Sequence, residues 1–125
     1  MTQTPAPLLE PDNISLLLEI ANLACHKGMP SAARDIVDGV LAMQPGFVPA
    51  VITLAYSHLV VDDFDTALAV LEPLLEQHPD DPDARVVQGL ALLLSGRKGE
   101  AEDAFAHIAA GCPQKLLAVE LARAL

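Results

Sequence analysis

Three alanines, Ala33, Ala67 and Ala101, recur every 34 residues, and Pro45, Pro79 and Pro113 keep the same step. A third set in phase with them, Ala21, Ala55 and Gly89, precedes each alanine by 12 residues. A period of this size constrains the chain more than any local motif. It marks an array of like supersecondary units, none of which can bury its apolar face alone. Two antiparallel helices approach closely only where side chains are small, so a small residue on a first helix and an alanine on a second define a contact. The proline then ends the second helix, because it lacks an N–H and disfavours helical geometry in the residue before it. Each unit therefore reads as helix, turn, helix, stop.

Gly28, Asp62 and Gly96 stand at the turn between the two small residues of each unit, and Phe64 and Phe105 stand where aromatics are favoured. With these features the chain resembles three tetratricopeptide repeats, covering about residues 14–47, 48–81 and 82–113. It departs from that pattern in the first helix of each unit. The usual tryptophan is replaced by Leu17, Val51 and Arg85, and the usual tyrosine by Ala24, His58 and Leu92. The resemblance implies an all-α, right-handed solenoid without sheet. Residues 1–12 read as a flexible lead to a repeat domain over 13–125.

Caps and prolines place the helix starts. Asp12 or Asn13 is expected to cap a first helix over about 13–27, and Pro30 opens the second, over about 30–43. Pro49 and Pro82 open the later first helices, and Asp80, Asp81 and Asp83 crowd the positive end of the fifth helix. Pro73 lies inside the fourth, where it removes a hydrogen bond to Ala69 and is expected to bend the helix. Residues 114–125 form a seventh, amphipathic helix: Leu117, Leu121 and Leu125 fall at four-residue steps, and Leu116, Val119 and Ala122 broaden the stripe. It caps the last unit.

Composition narrows the function. The chain has 125 residues, of which 52% are hydrophobic but only 3% aromatic, which suits one aliphatic helical array. A net charge of −10 disfavours nucleic acid and anionic membranes and draws in basic partners. Residues 1–11 have no charged start followed by an apolar core, and no apolar stretch of about 20 residues stands free to span a bilayer. A cytoplasmic protein is expected, with Cys25 and Cys112 as reduced thiols.

No catalytic or metal site is expected, and no cofactor. His26, His58, His78 and His107 are dispersed, and none is four residues from another His or Cys. Cys25 and His26 are adjacent, so on a helix they point about 100° apart and do not form an activated pair. Gly96 and Gly99 flank Arg97 and Lys98 at a turn, without the strand that a phosphate loop requires. Asp62, Asp63 and Asp65 lack the further ligands of a calcium loop and read as capping and solubilising residues.

The first helices of the second and third units are too apolar for one packed face. Beside Val51, Leu54 and Ala55 runs a further stripe of Ile52, Tyr56, Leu59 and Val60; beside Gly89 and Leu92 run Val86, Leu90, Leu93 and Leu94. The resemblance places this stripe, with Leu18, Asn22 and Cys25 of the first unit, on the concave surface of the array. An exposed apolar patch of this size marks an interface. Many tetratricopeptide domains hold acidic chaperone tails there through Lys, Arg and Asn. The corresponding positions here are Leu18, Asn22, Thr53, Asp83 and Val87, of which only Asn22 fits. In size, charge and groove the chain is similar instead to the tetratricopeptide chaperones of bacterial type III secretion, which hold an apolar helix of a needle or translocator subunit until export. The expected function is a non-enzymatic chaperone or adaptor for a partner protein's amphipathic helix or extended peptide. The alternative is a homodimeric assembly scaffold that uses the same apolar surface.

Overall fold

Helix starts follow the prolines and aspartates. In the computed structural model, which describes residues 11–124 (side-chain surroundings from residue 13), Pro30, Pro49 and Pro82 each stand in a first turn, where a missing N–H leaves no bond unmade. Asp63 and Asp81 cap the fourth and fifth helices by accepting the N–H of Thr66 (3.4 Å) and of Ala84 (3.0 Å). Among the described residues seven helices and no strand result: α1 (Pro11–His26), α2 (Pro30–Met43), α3 (Val48–Leu59), α4 (Phe64–Gln77), α5 (Pro82–Leu94), α6 (Lys98–Ala106) and α7 (Pro113–Ala124). The pairs α1/α2, α3/α4 and α5/α6 pack within units, α2 with α3 and α4 with α5 join the units, and α1, α3, α5 and α7 lie side by side. This is an all-α solenoid.

The phased small residues sit where the pairs touch. Ala21, Ala33, Ala55, Ala67 and Ala101 are wholly inaccessible to water. Gly89 is buried under the ring of Phe105, whose nearest carbon lies 2.1 Å from the place a Cβ would take. One and two periods before Phe105 come Leu71 and Val37, each in the same buried cluster as the small residue of its own unit, Ala55 or Ala21. Alanine therefore goes with a branched aliphatic in two units and glycine with phenylalanine in the third.

The turn within each unit passes through a left-handed residue: Gly28 (φ 78°), Asp62 (φ 63°) and Gly96 (φ 84°). Asp62 is the one of these with a Cβ, which is crowded in that region. Asp62→Gly should therefore raise the thermal midpoint, with a gain of about 0.5–1 kcal/mol in chemical denaturation. An unchanged or lowered midpoint would show that the turn does not set this strain.

Four expectations need correction or placement. Helix α1 already runs at Pro11, so Asp12 and Asn13 lie within its first turn and not at its cap. Helix α6 ends at Ala106, well before Pro113, which opens α7 instead of closing α6. Two groups satisfy carbonyls at that early end: Lys115 Nζ donates to the Phe105 carbonyl (2.9 Å), and His107 Nδ1 lies 3.0 Å from the Asp103 carbonyl. Helix α4 runs on through Pro73, which faces water. Of the lead expected over residues 1–12, residues 11 and 12 belong to α1, and residues 1–10, like the final Leu125, lie outside the described residues.

Candidate protein-binding groove

A cavity of about 460 Å³ opens between the first helices of the three units and the start of α7. Its walls are Leu18 and Asn22 of α1; Val48, Pro49, Ile52, Thr53 and Tyr56 of α3; Val86 and Val87 of α5; and Leu117 of α7. Asp81, Asp83 and Gln114 form its polar end. The Thr53 hydroxyl donates its one proton to the Pro49 carbonyl of its own helix (3.0 Å), so it can meet a ligand only as an acceptor. No Lys or Arg lines the cavity.

Of the eleven residues expected on this face, Leu18, Asn22, Ile52, Tyr56 and Val86 are brought together in the cavity wall. Cys25, Leu59 and Leu93 are not: they occupy one repeat position 34 residues apart, and all are interior, at 3%, 5% and 9% exposure. Leu90 packs half-buried on the middle core, Val60 packs on the first, and Leu94 points to water at the end of α5. The groove thus lies about a turn nearer the N-terminal ends of α3 and α5 than the stripe suggested. It takes in Val48, Pro49 and Asp81, and Gln114 and Leu117 of α7. Leu117 falls one and two periods after Asp83 and Pro49 of the same wall, and Ala118 falls one and two after the fully buried Ala84 and Ala50, so α7 continues the repeat phase beyond residue 113. All five positions compared with the acidic-tail clamp, Leu18, Asn22, Thr53, Asp83 and Val87, line the cavity.

At the α1 side of the groove and behind it, polar groups of the first two units pair with one another. The Tyr56 hydroxyl lies 3.3 Å from His26 Nδ1, with ring centroids 5.5 Å apart, and burial pushes its pKa up. Burial also raises the Cys25 thiol, against the pull of the Arg34 charge, so it stays protonated and unreactive at neutral pH. Arg34 Nε donates to the fully buried Ser57 hydroxyl (3.3 Å), which itself donates to the Leu54 carbonyl (2.6 Å). Among the described residues no three His, Cys, Asp or Glu side chains are grouped to hold a metal.

His58 is pushed below its ordinary 6.5 by burial and by Arg34, and Asp63, 3.7 Å away, offsets this only in part. The folded state resists protonating His58 more than the unfolded chain does. Its contribution is therefore present above about pH 6.5 and is lost as pH falls from there toward the lower folded value. His58→Gln should flatten the fall in thermal midpoint between pH 6.5 and 5. An identical pH profile in the variant would remove His58 as its source.

The repeat phase and the helix pairs find a counterpart among known families. The sequence profile described as tetratricopeptide repeat matches residues 52–115, just over half of the chain. The chain belongs to the tetratricopeptide repeat family. No curated protein and no solved structure matches it significantly. Tetratricopeptide arrays are protein-interaction modules, and in this one the cavity lies on the side formed by the first helix of each repeat. The matched region covers the second and third repeats; the first repeat is carried by the shared phase of Ala21, Gly28, Ala33 and Pro45. Among the described residues no helix of this tetratricopeptide protein is long and apolar enough to cross a membrane.

Proposed function

We propose that this protein is a non-enzymatic tetratricopeptide chaperone or adaptor whose groove holds the apolar face of an amphipathic helix from a partner protein. The observation that carries the reading is the cavity shared by α1, α3, α5 and α7, mainly apolar with acidic and amide side chains at one end. Each first helix has buried one side against its own unit and keeps a second apolar side toward the cavity. Water against Ile52, Val87 and Leu117 is displaced when a partner's apolar side chains enter, and that burial is the main favourable term. Holding a client helix until assembly or export, as type III secretion chaperones do, in the cytoplasm, is the role this surface suits.

The test is capture. The protein is purified with what it holds, the captured proteins are identified by mass spectrometry, and capture is repeated with Ile52→Glu and with Ala42→Glu on the exposed side of α2. A partner lost with Ile52→Glu and kept with Ala42→Glu supports the groove; equal capture by both variants sinks it. A second reading, a homodimeric scaffold, draws support from the exposed Leu116 and Val119 on α7. Sedimentation at low micromolar concentration distinguishes them, because a scaffold gives a defined dimer that Leu116→Glu dissociates.

A further inference from the structure

The groove carries charge of one sign only. Its two ionised side chains, Asp81 and Asp83, stand together at the start of α5. Asp81 Oδ1 accepts the Ala84 N–H (3.0 Å), and Asp83 Oδ1 accepts from Gln114 Nε2 (3.1 Å). Neither carboxylate is in an ion pair among the described residues. The basic side chain on α5, Arg85, is not in the wall. It donates instead to the Pro79 carbonyl (2.7 Å) and to Gln88 Oε1 (2.8 Å).

Covering the groove takes these carboxylates out of water. An uncharged apolar helix would leave that loss offset only by the one hydrogen bond each carboxylate already accepts, and an acidic one would add repulsion. A lysine or arginine facing them turns the same desolvation into an ion pair, and the field of a chain of charge −10 speeds the approach of such a partner.

Building on the groove reading above, we infer that the partner segment is a cationic amphipathic helix, with Lys or Arg beside its apolar face at the end that lies over the start of α5. The apolar residues then run toward Leu18 and Tyr56, and Asp81 and Asp83 set the direction in which the helix lies.

The experiment titrates the full chain with two fluorescent synthetic helical peptides that share one Leu/Ala face and differ in flanking lysines or glutamates. The lysine peptide should bind about tenfold or more tightly than the glutamate peptide, and its affinity should fall as salt is raised. Asp81→Asn with Asp83→Asn keeps both hydrogen-bond acceptors and should erase most of that preference. Ile52→Glu, and the half-exposed Leu117→Glu as a second groove variant, should abolish binding although each adds negative charge. Equal binding of both peptides, or an unchanged preference in the double variant, overturns the charge selection while leaving the groove standing. No binding of either peptide, or lysine-peptide binding that survives Leu117→Glu, overturns the groove reading itself and this inference with it.

Discussion

Gly89→Ala destabilises the protein by about 1–3 kcal/mol, although by helix propensity alone the same change would stabilise it by up to about 1 kcal/mol. The sign is decided by the Phe105 ring, with atoms 2.1, 2.5 and 2.6 Å from the position of the new methyl, where ordinary contact begins near 3.4 Å. Phe105 is buried against α5 and α7 and cannot swing into water. The thermal midpoint should fall by about 4 °C for each kcal/mol. Phe105→Leu in the same chain should recover much of the loss, because alanine with leucine is the combination that the second unit uses at Ala55 and Leu71. The cycle of two single variants and the double variant should show a coupling of about 1 kcal/mol or more. A raised midpoint for Gly89→Ala, or additive effects in the cycle, would remove the close approach as the reason for this glycine.

Leu59→Glu unfolds the chain, whereas Ile52→Glu, less than two helical turns earlier on α3, leaves helicity intact. Leu59 is in the middle core with Ala55, Ala67, Leu71 and Ala91, at 5% exposure. Burying a charge there costs several kcal/mol, a large share of the about 5–15 kcal/mol that holds a domain together. Ile52 opens on the groove, so its replacement can stay hydrated. Far-UV circular dichroism with a thermal scan reads both. The apolar stripe of the sequence places Leu59 on the concave surface, whereas its burial places it in the core. A cooperative melt near the parent midpoint for Leu59→Glu would return Leu59 to the groove.

Much of the architecture was legible because a repeat states its rules three times. The small residues at 21, 55 and 89 and at 33, 67 and 101 carry the contact of each helix pair, and one position per turn, 28, 62 and 96, carries the left-handed residue. Propensity and phase agree at these places, which is what makes them readable. The end of α6 was not legible, because no residue near Ala106 marks a stop. The carbonyls there are satisfied by Lys115, from the next helix.

What the sequence alone determined is the class and the phase: all-helical, paired, acidic, with more apolar surface on α3 and α5 than one partner helix can cover. Which part of that surface is core and which is groove was decided only by the tertiary structure. Cys25, Leu59 and Leu93 carry the same apolar signal as Leu18, Ile52 and Val86, and all six recur at the same step. Leu18 and Val86, at 6% and 9% exposure, are covered as fully as Leu59 and Leu93; periodicity reports the face on which a residue lies and is silent on where along the helices the cavity opens. Where the cavity opens along them depends on how α1, α3 and α5 lie side by side and on α7, which packs on α5 and adds Gln114 and Leu117 to the wall.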